Sequence, residues 1–249
     1  MHAIGLIDVP PTVREALADE LSARGRLGVA TREGATSSID IERGVSIRGS
    51  DPEEALEILA PRCEYAILNG FELDRGPILT VEDGMIRSSL LDTPTAVDRL
   101  DVADVADALE RKEPYVTLES LVSELKSHPD EELSGAIATF TGRVRAKEDR
   151  DDTVTEYLEF EQYGEVAEET MATIRDELTA RGGVLEVLMH HRSGMITAGE
   201  DIVFVVVLAG HRDQAFRAVE DGINRLKAEV PIFKKEVTID EEYWVHNRP

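Results

Sequence analysis

The sequence predicts an α+β protein in which a small α/β domain precedes a second, α+β domain. In the first part, apolar runs of strand length alternate with amphipathic helical stretches; in the second, neighbouring strand-like runs lie beside separate helices. The 249 residues, 42% of them hydrophobic, suffice to bury a core in one large or two ordinary domains. Glu113-Pro114 interrupts the pattern, because the residue before a proline is disfavoured in a helix. We therefore expect domains at residues 1–113 and 114–249.

The N-terminal domain is predicted to begin with a strand at residues 3–7, followed by a loop that contains Pro10 and Pro11. A helix ending at Gly25 comes next, because apolar residues recur there at four-residue spacing. The remaining predicted elements are a helix at 54–59, strands at 65–68 and 78–81, and an acidic helix at 93–112.

The C-terminal domain is predicted to begin with a short helix at residues 118–125. A charged loop at 146–152 joins its first two strands. The predicted strands cover 136–145, 154–161, 185–191, 202–208 and 232–239, and the predicted helices cover 164–181 and 211–230.

The charge of the chain is strongly negative, with 51 acidic against 27 basic residues and a formal net charge of −24. Such a surface repels nucleic acid and anionic membranes, so we expect neither as a partner. The basic residues comprise 21 Arg and only 6 Lys. This acidic, lysine-poor composition favours adaptation to a salt-rich cytoplasm over an ordinary acidic protein. If the substrate is an anion, the protein needs a local basic pocket to overcome the repulsion from its own negative charge.

Cys63 is the only cysteine, which excludes an intramolecular disulfide and a cysteine-based zinc site within one chain. Residues 1–10 lack the pattern of a signal peptide, and the longest apolar stretch, 202–210, is too short to cross a bilayer. We expect a soluble, cytoplasmic protein without a metal or a cofactor.

The lysines are concentrated in one segment: Lys227, Lys234 and Lys235 are three of the six in the chain. Lysine offers what arginine does not, a compact ammonium group that can lose its proton and act as a nucleophile or proton carrier. The alternative is a solvated helix end, where lysines interact favourably with the helix dipole. This signal alone leaves both interpretations open.

Two further basic groups are candidates for an anion site. His211 and Arg212 follow a buried strand and open a long helix, a position suited to phosphate; the alternative is a surface arginine beside a histidine in a turn. Arg143 and Arg145 are expected on one face of a strand, where they could hold an anion or simply pair with nearby acids.

The predicted helix separates two of these groups. Arg212 and Lys227 lie fifteen residues apart on it, or roughly 22 Å at about 1.5 Å per residue. A small-molecule ligand does not easily contact both ends of such a helix. If both groups belong to one site, two chains must build it, and a dimer follows conditionally.

From about Val116 to Trp244 the sequence resembles the molybdopterin synthase large subunit, the MoaE family. Six blocks in the same order carry the resemblance, with one departure: Phe233 stands where the family motif usually has tryptophan. The blocks are Gly135-Ala-Ile-Ala-Thr-Phe-Thr-Gly-Arg-Val-Arg145, Leu158-Glu-Phe-Glu161, His191-Arg-Ser-Gly194, Gly199-Glu-Asp-Ile-Val-Phe204, Ala209-Gly-His-Arg-Asp-Gln-Ala-Phe216 and Leu226-Lys-Ala-Glu-Val-Pro-Ile-Phe-Lys-Lys-Glu236.

The resemblance implies an α/β-hammerhead fold and a homodimer that binds a small ubiquitin-like MoaD-type subunit at each end, forming a heterotetramer. The small subunit carries a C-terminal thiocarboxylate, whose sulfur is transferred to cyclic pyranopterin monophosphate to form molybdopterin. By position, Lys227 and Lys234 are the implied catalytic residues. The implied substrate-binding residues are Arg143, Arg145, His211, Arg212, Lys235 and Glu236, with His211 and Arg212 contributed by the other protomer.

The first domain has a fainter resemblance to MobB, a P-loop protein of molybdenum-cofactor maturation, through Gly5–Thr12 and Cys63–Glu72. The Gly-Lys-Ser/Thr sequence of a phosphate loop is absent, and Pro10 and Pro11 stand where free N–H groups are required. We expect a degenerate domain that binds nucleotide poorly.

Two other functions compete with synthesis. Lys227 or Lys234 could accept a ubiquitin-like tail through an isopeptide bond, as a regulatory modification. A weaker alternative is a nucleotide-binding chaperone with an inactive synthase half, against which the intact lysine set argues.

Overall fold

The computed structural model describes residues 1–33, 36–41, 51–73, 75–162, 164–239 and 242–245. The chain divides into two compact units, Met1–Ser120 and Leu121–Pro249. The predicted domain boundary after residue 113 falls between a helix that ends at Glu110 and one that begins at Leu118. The domain limits of 1–113 and 114–249 stay a prediction. Among the described helices, none combines the length and apolar character needed to cross a membrane.

The first unit is built on a sheet with a parallel centre and antiparallel edges. Its described elements are β1 (His2–Ile7), α1 (Pro11–Arg24), β2 (Leu27–Glu33), β3 (Thr36–Ile41), α2 (Pro52–Leu59), β4 (Tyr65–Asn69), β5 (Ile78–Glu82), β6 (Met85–Arg87), β7 (Thr95–Ala96) and α3 (Val102–Glu110). The strand order is β3-β2-β4-β1-β5-β6-β7. Strands β2, β4, β1 and β5 are parallel, and β3, β6 and β7 are antiparallel to their neighbours.

Both faces of this sheet are buried. Ile67 belongs to the apolar cluster that contains Leu17 of α1 and Leu109 of α3. Its neighbour Leu68 belongs to a different cluster, which contains Leu59 of α2. Successive strand residues therefore enter opposite cores, which explains why the strands appear in the sequence as continuous apolar runs.

The prediction of one helix over residues 93–112 is wrong in its first half. Residues 95–96 form β7, a 3-10 turn covers Val97–Arg99, and α3 begins only at Val102. Asp101 starts the helix, because its carboxylate accepts a hydrogen bond from the N–H of Ala103 at 2.9 Å. The acidic residues before Asp101 have helical periodicity, but they lie outside the helix, which begins at Val102.

In the second unit, all described strand pairs are antiparallel. Its elements are α4 (Leu118–Leu125, which spans the division), β8 (Ala136–Arg143), β9 (Thr155–Gln162), α5 (Gly164–Thr179), β10 (Val184–His191), β11 (Gly194–Thr197), β12 (Asp201–Ala209), α6 (Arg212–Glu229), β13 (Ile232–Thr238) and β14 (Glu242–Val245). One sheet has the order β10-β12-β8 and the other β11-β9-β13-β14. The predicted mixture of helices and sheets is confirmed.

Helices α5 and α6 cover the three-stranded sheet. Val205 and Val207 of β12 are fully buried in one cluster with Ile174 of α5 and Leu226 of α6. Gly222 of α6 packs closely on β12, because an added Cβ would lie 3.0 Å from Cγ1 of Val205. Helix α6 therefore returns along β12, so that its C-terminal turn lies toward the start of that strand.

His190 of β10 should make the folded state sensitive to mild acid. Its ring stacks on Phe204 at 6.5 Å between centroids, and burial lowers the pKa of His190 from 6.5 to about 4. Between these values the unfolded chain binds a proton that the folded chain does not, so stability falls as pH falls. At about 1.4 kcal/mol per pKa unit, we expect the wild type to lose about 2 kcal/mol between pH 7 and 5 on this account.

Denaturant unfolding of the wild type and of His190→Gln at both pH values checks this prediction. The variant should lose about 2 kcal/mol less than the wild type over this interval. Equal losses in the wild type and His190→Gln would contradict the assignment.

Candidate active site

The start of α6 forms one side of an open pocket of about 400 Å³, lined by Gly135, Gly210, His211, Arg212 and Asp213. His211 is the N-cap residue, with an extended backbone and no capping bond from its side chain. The side chain of Arg212 is 83% exposed and lies 3.6 Å from the carboxylate of Asp213. The positive end of the helix dipole and an exposed guanidinium thus share one pocket, as an anion site requires.

Glycines bring three backbone segments together beside this pocket. The N–H of Gly135 donates to the carbonyl of Ala209 at 3.0 Å, and the N–H of Gly210 donates to the carbonyl of Gly183 at 2.9 Å. A Cβ on Gly135 would lie only 2.4 Å from the carbonyl oxygen of Gly210. This contact joins residues far apart in the chain, and no local sequence pattern indicates it.

The two candidate arginines stand where β8 ends. The predicted strand over 136–145 stops at Arg143, so Arg145 lies beyond the strand on which both were expected. Nε of Arg143 pairs with Asp201 at 2.9 Å, and Arg145 pairs with Glu148 at 3.2 Å. Both guanidinium groups are largely exposed, and each contacts a carboxylate.

The adjacent lysines of β13 point to opposite faces of the sheet. Lys234 pairs in register with Phe160 and Lys235 with Glu159, and successive strand residues alternate in direction. Nζ of Lys235 contacts Glu242 at 2.8 Å, and this hydrogen bond raises the pKa of Lys235.

Lys234 shares its face of β13 with Glu236. The carboxylate of Glu236 accepts a hydrogen bond from the hydroxyl of the buried Thr155, at 2.5 Å. Lys234 thus lies two residues along the strand from a carboxylate that is held in place, opposite the buried ring of Phe160. Of the two strand lysines, this one stands beside the apolar core.

The structure separates the candidate residues of one chain into two groups. Helix α6 is continuous from Arg212 to Glu229, so Lys227 in its last turn is roughly 22 Å from Arg212 at about 1.5 Å per residue. Lys227 lies toward the start of β12, where Asp201 pairs in register with Arg143. His211 and Arg212 lie at the other end of the same strand.

Within the described residues, no group of three or more His, Cys, Asp or Glu side chains is arranged to hold a metal ion. The candidate arginines can bind an anion, and the candidate lysines and histidine can transfer protons.

Comparison with known proteins gives concordant results. The sequence profile of a family described as "MoaE protein" matches residues 110–229. A Haloferax volcanii protein named "Probable molybdopterin synthase" is 47% identical over 265 aligned residues, covering 100% of both chains. A Pyrococcus abyssi "Molybdopterin synthase catalytic subunit" is 37% identical over 112 residues, 45% of this chain and 74% of that protein. The crystal structure of Staphylococcus aureus molybdopterin synthase is 38% identical, with a TM-score of 0.44, covering 47% of this chain and 83% of that one.

Proposed function

The chain belongs to the molybdopterin synthase family, and we propose that it is the catalytic subunit, which transfers sulfur to cyclic pyranopterin monophosphate. The sulfur comes from the thiocarboxylated C-terminus of a small MoaD-like partner in the cytoplasm. The observation that carries the proposal is the full-length similarity to a relative named "Probable molybdopterin synthase", in a chain that has lysines at the end of α6 and on β13.

We assign the catalytic roles to Lys227, in the last turn of α6, and to Lys234, on β13. Lys227 neutralises or activates the incoming thiocarboxylate, and Lys234 assists proton transfer at the pterin. The partly buried position of Lys234 beside Glu236 supports this division. Lys235, with a raised pKa and a carboxylate partner, serves as a fixed positive charge at the edge of the site.

The phosphate is held by Arg145, Arg212 and His211, with Arg143 beside them. Arg143 and Arg145 contact carboxylates at exposed positions, where ion pairs contribute little and exchange readily. The phosphate therefore replaces these carboxylates on binding. Arginine suits the task because its planar guanidinium can bind two phosphate oxygens at once.

The complete site requires two protomers. This part of the proposal is supported by α6, whose continuous length keeps Arg212 and Lys227 of one chain too far apart for one pterin. We propose a homodimer within a heterotetramer, in which His211 and Arg212 of one protomer complete the lysine side of the other. The hammerhead arrangement of residues 114–249 belongs to the same proposal and is supported by the two antiparallel sheets.

In vitro conversion tests the proposed activity. The protein is incubated with a thiocarboxylated MoaD-type subunit and cyclic pyranopterin monophosphate in high salt, and molybdopterin is detected after oxidation to its fluorescent derivative. We expect product in proportion to thiocarboxylate consumed. A folded protein that yields no product with any competent sulfur carrier contradicts the proposal.

Mixing two inactive variants tests the shared site. Lys227→Ala and Arg212→Ala should each be inactive, whereas dimers re-formed from an equal mixture should recover about a quarter of wild-type activity, because half are mixed and each mixed dimer has one intact site. Lys227→Ala mixed with Lys234→Ala is the matched control. Both lysines belong to the same side of the site, so no activity should return. Recovery in both mixtures, or in neither, argues against the arrangement.

For residues 1–113 we propose a degenerate MobB-like domain that binds nucleotide weakly or not at all. The N–H groups of Val13 and Arg14 both donate to the carbonyl of Pro10 at 3.1 Å, and neither Pro10 nor Pro11 has an N–H of its own. The start of α1 therefore has few donors for a phosphate. Calorimetric titration with ATP and GTP should give no binding tighter than about millimolar; a micromolar dissociation constant would overturn this proposal.

A further inference from the structure

Arg145 stands between two residues whose backbones are fixed by hydrogen bonds. On one side, the N–H of Val144 donates to the carbonyl of Glu200 at 2.9 Å, and the carbonyl of Val144 accepts from the N–H of Gly199 at 2.8 Å. On the other side, the carbonyl of Ala146 accepts from the N–H of Thr155 at 2.8 Å. The side chain of Val144 is buried, whereas that of Arg145 is 69% exposed. The backbone of Arg145 is thus held firmly while its guanidinium stays accessible.

The segment that holds Val144 is the turn between β11 and β12. Gly199 has a φ of +95° there, a conformation that glycine adopts without strain. The carboxylate of Glu200 closes the turn, because one of its oxygens accepts from the N–H and the hydroxyl of Thr197, at 2.7 and 2.6 Å. The backbone shape of this turn therefore depends on one side chain.

The second oxygen of the same carboxylate is occupied by Arg192. The guanidinium of Arg192 lies 3.0 Å from Glu200 and also donates to the carbonyl of Asp201. With 14% exposure for the side chain of Arg192 and 32% for that of Glu200, this pair is among the less exposed ion pairs of the unit. The adjacent Asp201 pairs with Arg143. The turn therefore contacts Arg143 directly and Arg145 through the preceding residue, Val144.

We propose that Glu200, oriented by Arg192, is a positioning residue that sets where Arg145 meets the substrate phosphate. Glu200 does not touch the substrate; it acts through the turn at residues 199–201 and the backbone of Val144. This inference rests on the proposed function, because it assigns the phosphate to Arg145. Neither the clustered lysines nor the His211-Arg212 pair pointed to Glu200 and Arg192.

Kinetics of Glu200 variants of the full-length protein test the inference. With saturating thiocarboxylated partner, Glu200→Ala should raise the KM for cyclic pyranopterin monophosphate by about tenfold or more, because a displacement of about 1 Å in a binding group is costly. The value of kcat should change less than about threefold, since the lysines remain in place. Glu200→Gln, which can still accept from Thr197, should lie between the wild type and the alanine variant.

Glu177→Gln is the matched control. Glu177 pairs with Arg225 at 2.6 Å on the helices of the same unit, so its loss affects stability without touching the turn. Its KM should equal that of the wild type. An unchanged KM in Glu200→Ala, or the same rise in Glu177→Gln at a similar loss of melting temperature, overturns the inference.

Calorimetric titration of the cyclic phosphate without any partner separates this inference from the proposed function. Normal binding by the wild type and weaker binding by both Glu200 variants supports the role of Glu200, whether or not sulfur transfer follows. Equal binding by the wild type and Glu200→Ala contradicts that role alone. No binding and no turnover by the wild type contradicts the proposed function, and the inference falls with it.

Discussion

Replacing Lys227 with alanine is expected to abolish formation of the dithiolene product, with a loss of at least about a thousandfold in kcat. Lys227 lies in the last turn of α6, at the end of the helix that approaches the start of β12. Its ammonium group is assigned to the partner's thiocarboxylate, and no arginine within the proposed site can donate and recover a proton in its place. Product formation by the purified variant, measured against time with excess partner, checks this directly.

A second substitution separates charge from proton transfer at this position. Lys227→Arg keeps the positive charge but replaces the amine with a guanidinium, which does not serve as a proton carrier, so we expect it to be nearly as inactive as the alanine variant. Substantial activity in Lys227→Arg would assign Lys227 a purely electrostatic role. Lys126→Ala, at an exposed position beyond α4, is the matched control and should retain wild-type turnover. The alanine variant should keep the melting temperature and the oligomeric mass of the wild type.

Replacing Gly135 with alanine is expected to impair both stability and activity. The new Cβ would stand 2.4 Å from the carbonyl oxygen of Gly210, and a backbone atom cannot rotate away as a side chain can. Relieving this overlap should cost about 1–3 kcal/mol of unfolding free energy. The relief must also move the turn that carries His211 and Arg212, so we expect kcat/KM to fall by up to about a hundredfold.

Gly182→Ala is the control for Gly135→Ala. An added Cβ at Gly182 meets nothing within 4 Å, although the residue lies beside Gly183 at the same junction. Urea unfolding and steady-state kinetics of the two variants should differ clearly. If Gly135→Ala has the same unfolding free energy and the same kcat/KM as Gly182→Ala, the close contact between Gly135 and Gly210 does not matter for stability or activity.

The elements that the sequence predicted well are those with a continuous apolar core face. Strand β12 and helix α6 were recognisable because nearly every residue of one, and one stripe of the other, enters the same core. Strands β11 and β14 were missed, since each has four residues and exists through pairing with a distant strand. Strand β2 was missed because its alternation includes Gly28, which packs against Leu59 rather than contributing a side chain.

For the candidate site, the sequence predicted residue types but not their surroundings. The opposite orientation of Lys234 and Lys235 follows from the register of β13 with β9, which no local pattern reveals. The carboxylate partners of Arg143 and Arg145 likewise depend on how the turns fold. Glu200 and Arg192 stood inside the motifs that carried the family resemblance, yet their joint role emerges only when the turn between β11 and β12 is seen against Val144.

The unbroken course of α6 has a consequence for how such chains can diverge. Inserting one residue between Arg212 and Lys227 would turn the lysine about 100° around the helix axis and shift it about 1.5 Å. In the proposed dimer, both protomers would then need compensating changes at once. The exposed connection at residues 146–152, by contrast, can lengthen or shorten at its tip without moving either end of the helix. We expect related sequences to vary freely in length there, whereas the spacing from Arg212 to Lys227 should be as invariant as the two residues themselves.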